Sequence, residues 1–396
     1  MNWSPKQDDA LLAVARWLQC PNGQQVFRLF GYAGTGKTTL AVHFANGCEG
    51  RVLFAAFTGK AASVMRQRGC RDASTIHRLI YTPTVKSSVR LLELREALIG
   101  TDPEEKMLRD KILAEIVALE KELKRPSFVL NLDSDLRGAK LLIIDECSMV
   151  GKEMAEDLLS FGVPILVLGD PAQLPPVRST GYFTDAQPDR MLTEIHRQAA
   201  ESPIIQLATA VREGRAIAHG THGDSLVARW GSLGPEAVMG HDQILVGRNA
   251  TRRACNTRTR ALLGKEGALP TNGDRLVCLR NDHEVGVLNG EIWRVDRCDV
   301  LSRDLLSAQI TNVEEGMVID CEIHRHHFEG RELGYFEARS ALEFDYGYAL
   351  TTHKAQGSQW GSVIVFDESA CFKNDNRRWL YTAITRAANR ITIVTN

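Results

Sequence analysis

Short apolar runs alternate with polar, helix-starting segments along most of the chain. The apolar runs lie at residues 26–30, 51–57, 141–144, 164–168, 243–246, 363–366 and 391–394. A strand buried on both faces reads as a continuous apolar run, and strands that alternate with helices form parallel sheets. The pattern therefore predicts an α/β protein whose strands fall into two units, one on each side of about residue 190.

Residues 81–139 interrupt this alternation. Leucines keep helical spacing up to Gly100, a capping box with proline just inside it occupies 101–104, and apolar residues then recur at helical spacing up to Pro126. We expect an antiparallel helical hairpin, followed by a strand at 127–132 that pairs with 80–85. An insertion this long within a core domain is usually functional, although a decorative hairpin is the alternative.

A second interruption, from 272 to 336, has a different pattern. Short apolar runs are separated there by Asn-Asp and Asn-Gly turns, which predicts a small β-barrel inserted between core strands. The two interruptions define the predicted domain boundaries. These are 1–79 and 138–188 for a first core, 80–137 for its insert, 189–269 and 341–396 for a second core, and 270–340 for the β insert.

The composition is that of an ordinary globular protein, with 44% hydrophobic and 24% charged residues among 396. No run of about 18 apolar residues occurs and the first residues do not resemble a cleavable signal, so we expect no membrane segment. The nine cysteines are scattered without a C-x-x-C pair, which indicates reduced thiols and a cytoplasmic protein. A net charge of −1 argues against a protein coated with nucleic acid but is compatible with a local basic groove.

The most specific motif occupies residues 31–39, which read G-x-x-x-x-G-K-T-T between an apolar run and a helix-forming segment. This is a phosphate-binding loop, in which glycines let successive backbone N–H groups turn toward phosphate. We expect the Lys37 ammonium to reach the β- and γ-phosphates and the Thr38 hydroxyl to bind Mg²⁺. The predicted nucleotide contacts are Gly34, Thr35, Gly36, Lys37, Thr38 and Thr39.

Two further apolar runs end in polar residues that suit this chemistry. Asp145 and Glu146 follow the run 141–144, and Gln173 lies shortly after the run 164–168. Ligands bind at the carboxyl ends of the strands in open α/β sheets. We expect Asp145 to hold Mg²⁺ through water, Glu146 to polarise the attacking water, and Gln173 to contact the γ-phosphate as a sensor. A surface acidic pair is the alternative for the two carboxylates.

Cations at two places could add further anion contacts. Thr58-Gly59-Lys60 follows the run 51–57 at a predicted helix start, where a hydroxyl, backbone N–H groups and an ammonium could bind a second anion. A plain helix cap is the alternative. An arginine supplied from the second unit could stabilise γ-phosphate charge, and Arg197 and Arg386 are the candidates.

Cys321, His324, His326 and His327 form the only metal-like cluster in the sequence. Their spacing matches no standard zinc pattern. A polar turn or strand of the β insert is therefore the favoured interpretation of this segment.

Taken in order, these motifs resemble those of superfamily 1 helicases of the RecD, Dda and Pif-like branch. The matching segments are 31–39, 57–62, 75–77, 144–149, 169–176, 194–198, 352–358 and 381–387. They follow the family order from one end of the chain to the other. The length, close to that of the core alone, suggests by analogy a phage or prophage accessory helicase.

The resemblance implies two RecA-like P-loop cores that close on ATP, with single-stranded DNA running across both. It implies that Gln7 contacts adenine, that Gly357 lies at the nucleotide, and that Arg197 and Arg386 act as arginine fingers. The implied DNA-contacting residues are Thr58, Gly59, Lys60, Thr75, His77, Thr352, His353 and Lys354.

The resemblance also assigns roles to the two inserts. The β insert takes the place of the family's SH3-like domain, and residues 80–137 take the place of its duplex-splitting pin. A hairpin of helices departs from the family's simple β pin, so the sequence does not identify the residues that form the wedge.

The expected function is an ATP- and Mg²⁺-dependent DNA helicase that moves 5′ to 3′ on single-stranded DNA. Single-stranded DNA and junctions are the expected partners, and the protein is expected to be a monomer. The alternatives are a translocase that does not separate strands, a motor that uses RNA as its track, and a nucleotide-gated DNA-binding module. The last of these would recruit a replication or recombination protein.

Overall fold

A computed structural model describes residues 3–20, 23–84, 89–102, 104–124, 127–175, 181–195, 201–282, 285–331 and 341–396. The strands are β1 Val26–Gly31, β2 Val52–Ala56, β3 Ser74–Thr75, β4 Tyr81–Thr84, β5 Ser127–Leu130, β6 Leu141–Asp145, β7 Ile165–Gly169, β8 Arg190–Leu192, β9 Gly220–His222, β10 Ser225–Arg229, β11 Gln243–Val246, β12 Arg275–Cys278, β13 Ile292–Val300, β14 Leu305–Asn312, β15 Val318–His324, β16 Phe344–Tyr346, β17 Ala349–Thr351, β18 Trp360–Phe366 and β19 Ala387–Thr395. The helices are α1 Pro5–Leu18, α2 Lys37–Asn46, α3 Gly59–Gln67, α4 Ile76–Ile80, α5 Val89–Gly100, α6 Lys106–Lys124, α7 Lys152–Ser160, α8 Pro203–Arg212, α9 Pro235–Met239, α10 Asn249–Leu262, α11 His326–Glu329 and α12 Asn376–Ile384. Within these ranges, no helix is both long enough and apolar enough to cross a bilayer.

The first sheet has the strand order β3-β2-β6-β7-β1-β8, and all of its strands are parallel. Helices α1, α2 and α3 pack on one face and α4 and α7 on the other, so successive residues of β6 are buried on opposite sides. We call this sheet with its helices the first lobe. Strand β8 pairs with β1, so the first sheet extends to Leu192, beyond the predicted boundary at residue 188.

The second sheet has the order β17-β11-β18-β19-β10-β9 and is parallel except for the pair β9–β10. Helices α8 and α12 cover one face, while α9 and α10 contribute side chains to the other. We call this sheet with its helices the second lobe. The two sheets confirm the α/β class with parallel strands that the apolar runs predict.

Helices α5 and α6 lie side by side and pack through Leu91, Leu94 and Ile116. The antiparallel strands β4 and β5 form the base of this pair, with Tyr81 opposite Leu130. The Tyr81 hydroxyl donates to the Asp157 carboxylate on α7 at 2.5 Å, which fixes the base on the first lobe. Both helices and both strands lie where the sequence pattern places them.

The third sheet, which we call the insert sheet, is antiparallel with the order β15-β14-β13-β12-β16. Just before β16, Leu342 forms a bridge with Ile323 of β15, so the two edges of the sheet are joined. Trp293 and Phe344 are buried in its own core, whereas Val277 and Ile292 are buried with the core of the second lobe. The insert sheet is therefore packed on the second lobe. The chain also enters the insert sheet from that lobe.

The two lobes meet at the carboxyl ends of the first sheet. The Tyr381 hydroxyl of α12 donates to the Asp170 carboxylate at 2.6 Å and accepts from the backbone N–H of Ala33 at 2.9 Å. Nearby, the Leu174 N–H donates to the Thr382 hydroxyl at 2.9 Å, and the Leu174 side chain is buried in the core of the second lobe. The segment after β7 thus inserts into the second lobe and holds the lobes together.

Replacing Tyr381 with phenylalanine tests this contact. The change leaves the Ala33 N–H and the buried Asp170 carboxylate without one hydrogen-bond partner, so we expect the free energy of unfolding to fall by about 1–3 kcal/mol. Denaturant titration without nucleotide measures the change. Tyr182→Phe is the matched control, because Tyr182 packs on Phe183 inside the first lobe. An equal loss in both variants would contradict the assigned role of the lobe contact.

Candidate functional site

A cavity of about 840 Å³ lies between the two lobes. Its floor is the loop that joins β1 to α2, together with the residues that follow β6 and β7. The opposite wall comes from the second lobe and includes Gly357 and Arg386. Most of the polar residues singled out in the sequence as nucleotide contacts meet in this one place.

The loop has the conformation that a phosphate-binding loop requires. Gly34 and Gly36 have φ of +79° and +77°, a region that side chains with a Cβ rarely adopt, and α2 begins immediately afterwards at Lys37. The Lys37 ammonium donates to the carbonyl oxygens of Gly31 and Tyr32. The amino end of α2 and a lysine therefore face the cavity, where an anion is favoured.

Thr38 and the carboxylates after β6 form a connected group. The Thr38 hydroxyl donates to Asp145 Oδ2 at 2.8 Å, and the other oxygen of Asp145 accepts from the Glu146 N–H at 2.8 Å. A hydroxyl and a carboxylate are ligands that Mg²⁺ prefers. The residues present at this corner of the cavity therefore fit a magnesium ion.

Glu146 has a left-handed backbone, with φ of +53°. Such a conformation is uncommon for a residue other than glycine, and it is found most often where function requires a particular side-chain position. Burial raises the pKa of Glu146, while the charges of Arg386 and Lys37 act in the opposite direction. The carboxylate is thus held in the cavity between cations from both lobes.

Arg386 reaches this carboxylate from the second lobe. Its Nη1 lies 3.8 Å from Glu146 Oε1, and the guanidinium also donates to the carbonyl oxygens of Thr382 and Ser358. These bonds fix its position at the end of α12. Arg197, the other predicted finger, lies outside the described residues.

Gln173 also lines the cavity. Its Oε1 is buried and has no hydrogen-bond partner within the described part of the chain. An unpaired buried acceptor is costly, so a donor supplied by water or by a bound ligand would be stabilising here. The position suits the sensor role that the sequence predicts.

Sequence reasoning missed Asp170 and Tyr381. Asp170 directly follows β7, just as Asp145 is the last residue of β6. Its position at the end of a strand is the signal that could have identified Asp170. Burial raises the pKa of Asp170, although Lys37 and the Tyr381 hydroxyl oppose this. Tyr381 lies in a segment that was recognised only by resemblance, and its contact across the lobes had no local signal.

Gln7, the implied adenine contact, lies against the phosphate-binding loop. It is buried behind the loop, where its amide donates to the Thr35 carbonyl at 3.1 Å and accepts from the Ser4 N–H at 3.0 Å. Trp3 lines the cavity instead, with its ring 5.0 Å from that of His43. In this conformation Gln7 supports the loop, and Trp3 presents an aromatic surface to the nucleotide cavity.

The predicted DNA-contacting residues of the first lobe are mostly engaged within the protein. Thr58 caps α3 by accepting from the Ala61 N–H at 3.1 Å, and Thr75 caps α4. Lys60 is buried and forms an ion pair with Glu314 of the insert sheet. A Cβ on Gly59 would lie 2.9 Å from that of Leu288, so the insert sheet contacts the start of α3 closely.

Ring contacts surround His77. Its ring lies 5.8 Å from that of Phe57, 5.7 Å from Tyr81 and 5.4 Å from Phe128. Burial lowers the pKa of His77, which favours the neutral imidazole. These rings connect the first lobe to the base of the helical insert.

The second-lobe candidates directly follow β17. Thr352 is fully buried, the His353 ring lies 5.6 Å from the Phe372 ring in a tilted contact, and burial lowers the pKa of Lys354. Gly357 has φ of +78°, and a Cβ there would lie 2.9 Å from that of Ala61 on α3. The structure therefore brings Gly357 against the first-lobe candidates.

Comparison with known proteins agrees with this geometry. Residues 3–226, more than half of the chain, match a family model described as an AAA domain, and residues 346–394 match a UvrD-like helicase C-terminal domain. The ATP-dependent RecD2 DNA helicase of Deinococcus radiodurans is 30% identical over 402 residues, covering 93% of this chain and 46% of that protein. The RecBCD enzyme subunit RecD of Mycolicibacterium smegmatis is 26% identical, covering 64% and 50%. The chain spans about half the length of these curated relatives.

Solved structures show the same fold. A crystal structure of Bacteroides Pif1 bound to single-stranded DNA superimposes with a TM-score of 0.55 at 16% identity, covering 99% of this chain and 92% of that one. Pif1 helicase from Candida albicans gives a TM-score of 0.51 at 16% identity, covering 100% and 95%. The chain belongs to the AAA domain family, and over 93% of its length it is similar to the RecD2 helicase.

Proposed function

We propose that this chain is an ATP-dependent DNA helicase that moves 5′ to 3′ along single-stranded DNA. The observation that carries the proposal is the cavity in which the phosphate-binding loop and Glu146 of one lobe meet Arg386 of the other. The RecD2 relative is named as an ATP-dependent DNA helicase, and one Pif1 neighbour was solved with single-stranded DNA. The described cavity residues all come from one chain, which supports a monomer as the active unit.

The cavity residues account for hydrolysis of ATP. Loop N–H groups and Lys37 bind the phosphates, and Thr38 with Asp145 would hold Mg²⁺, which neutralises phosphate charge when bound. Glu146 orients the attacking water and accepts its proton. Arg386, 3.8 Å from Glu146, is placed to stabilise charge that develops on the γ-phosphate.

Movement along DNA would follow from the division of the cavity residues between the two lobes. Arg386 and Tyr381 belong to the second lobe, whereas the loop and Asp170 belong to the first. Binding of ATP adds contacts that favour the closed lobes, and loss of the γ-phosphate removes them. A cycle of closing and opening would move one DNA-binding lobe along the strand relative to the other.

Lys37→Ala and Glu146→Gln test the hydrolytic site. We expect each to reduce DNA-stimulated ATP hydrolysis by about a hundredfold or more, since each removes a group that acts on the reacting phosphate. Steady-state ATPase assays with and without single-stranded DNA measure this effect.

Lys152→Ala and Glu156→Gln are matched controls for these two substitutions. Lys152 and Glu156 form an exposed pair on α7, so the same charges are removed away from the cavity. Substantial DNA-stimulated turnover in Lys37→Ala or Glu146→Gln, at the level of the controls, would refute the site assignment.

We further propose that the start of α3 binds the DNA backbone and that the insert sheet competes for it. Lys60 is the cation at this position, and Glu314 now neutralises it, while Ser63 donates to Glu315 at 3.3 Å. A phosphate that reaches Lys60 must displace Glu314. Binding through phosphates would be insensitive to sequence and weakened by salt.

Glu314→Gln tests this competition. It removes the charge that pairs with Lys60, so we expect tighter binding of single-stranded DNA by about threefold to tenfold at low salt, whereas Lys60→Ala should weaken it. Fluorescence anisotropy with a labelled oligonucleotide measures both. Glu322→Gln, which neutralises an exposed carboxylate of β15 in the same sheet, is the control. Equal affinities for Glu314→Gln and Glu322→Gln would contradict the competition.

Strand displacement on duplexes with a 5′ or a 3′ single-stranded tail tests the polarity. We expect ATP-dependent unwinding of the 5′-tailed duplex alone, with hydrolysis followed in the same tubes. Unwinding of the 3′-tailed duplex alone would overturn the proposed direction. DNA-stimulated hydrolysis without displacement of either duplex would favour a translocase that does not separate strands.

We infer the roles of the inserts on the same basis. The joined insert sheet supports an SH3-like domain at 270–340, and the helical pair at 80–137 takes the place of the pin. The cores then comprise 1–79 with 138–188 and 189–269 with 341–396, apart from β8, which pairs with the first sheet.

A further inference from the structure

The end of β15 and the start of β16 bring together His326, His327 and Glu343. One ligand atom from each lies within 4.8 Å of the others. His326 is 5% exposed, and the other two are half-buried. None of the three lines the cavity between the lobes, so the proposed ATPase makes no use of this cluster.

His326 has a buried nitrogen that the protein does not satisfy. Its Nδ1 has no hydrogen-bond partner within the residues that the structure describes. Leaving such an atom unpaired costs about 1–3 kcal/mol, so its retention needs an explanation. A metal ion is one partner that a buried imidazole nitrogen commonly accepts.

The two imidazoles are packed directly against each other. Their ring centroids are 3.8 Å apart, and the ring of His324 lies 5.6 Å from that of His326.

Glu343 is oriented by groups on both of its oxygens. Its Oε2 lies 3.2 Å from His327 Nε2, and its Oε1 lies 3.1 Å from Arg280 Nη1. Metal-binding carboxylates are usually held by such an outer hydrogen bond to the oxygen that does not bind the ion. The arginine would fix the carboxylate while Oε2 turns from His327 toward the ion.

We propose that His326, His327 and Glu343 form a site for a zinc-like divalent transition metal. Two imidazoles and a carboxylate suit zinc, and they leave a fourth position for water or for His324. Ligand atoms of a tetrahedral zinc site are about 3.3 Å apart. Small rotations of these side chains, which already lie within 4.8 Å of one another, would close the site.

The position of the site indicates what the metal does. His326 and His327 follow β15, Glu343 precedes β16, and the bridge between Ile323 and Leu342 joins the same two edges. A metal there would clamp the closure of the insert sheet. The role is structural and is independent of the proposed helicase activity.

Metal analysis of the full chain, purified without a histidine tag, tests the proposal. We expect about one equivalent of zinc per chain, and we expect a chelator to lower the midpoint of thermal unfolding and zinc to restore it. Cobalt(II) substituted for zinc should give the visible bands of a tetrahedral site without thiolate-to-metal charge transfer. Strong charge transfer would place the metal on some of the nine cysteines and overturn the assignment.

Two variants identify the ligands. His327→Ala and Glu343→Gln should each weaken zinc binding by more than about tenfold in competition with a chromophoric chelator. His219→Ala, which removes an exposed histidine from the second lobe, should leave the affinity unchanged. Unchanged affinity in both ligand variants, or no stoichiometric metal in the unmodified protein, would refute the site.

Discussion

The hydrogen bonds of the Tyr381 hydroxyl hold the candidate site together. This one oxygen joins the phosphate-binding loop at Ala33 to the strand-end carboxylate of Asp170, and it belongs to the opposite lobe. Arg386 follows on the same chain segment, immediately after α12, and lies 3.8 Å from Glu146. Separation of the lobes would break the Tyr381 bonds and withdraw Arg386 together. The contact between the lobes and the approach of Arg386 to Glu146 are therefore coupled.

The charges in the cavity give this closure an electrostatic component. Burial raises the pKa values of Glu146 and Asp170, because it disfavours their ionised forms. Lys37 from the first lobe and Arg386 from the second oppose this effect. If the lobes separated, Arg386 would move away from Glu146 and water would enter the cavity. The ionisation of Glu146 and Asp170 therefore depends on the distance between the lobes. The left-handed backbone of Glu146 is strained, and the surrounding contacts must maintain this conformation.

Local features of the sequence were enough to predict much of this arrangement. Apolar runs predicted the parallel strands, and the spacing of glycines, Lys37 and Thr38 predicted the loop. The rule that ligands bind at strand ends brought in Asp145 and Glu146. Long-range contacts had no such signal: Tyr381 and Asp170 are 211 residues apart. The hydrogen bond from the Gln7 amide to the Thr35 carbonyl, 28 residues away, likewise had no local signal.

The insert sheet provides a second connection between the lobes. It is packed on the second lobe through Val277 and Ile292, yet it contacts α3 of the first lobe through Glu314 and Leu288. Lys60 is buried at that contact, where Glu314 pairs with it and the nearby Glu291 and Glu315 add negative charge, so an anion that replaces Glu314 would enter a site already suited to a cation pair. A DNA phosphate is such an anion. If the start of α3 binds DNA as proposed, the phosphate takes the place of Glu314 at Lys60 and weakens the contact between the insert sheet and α3.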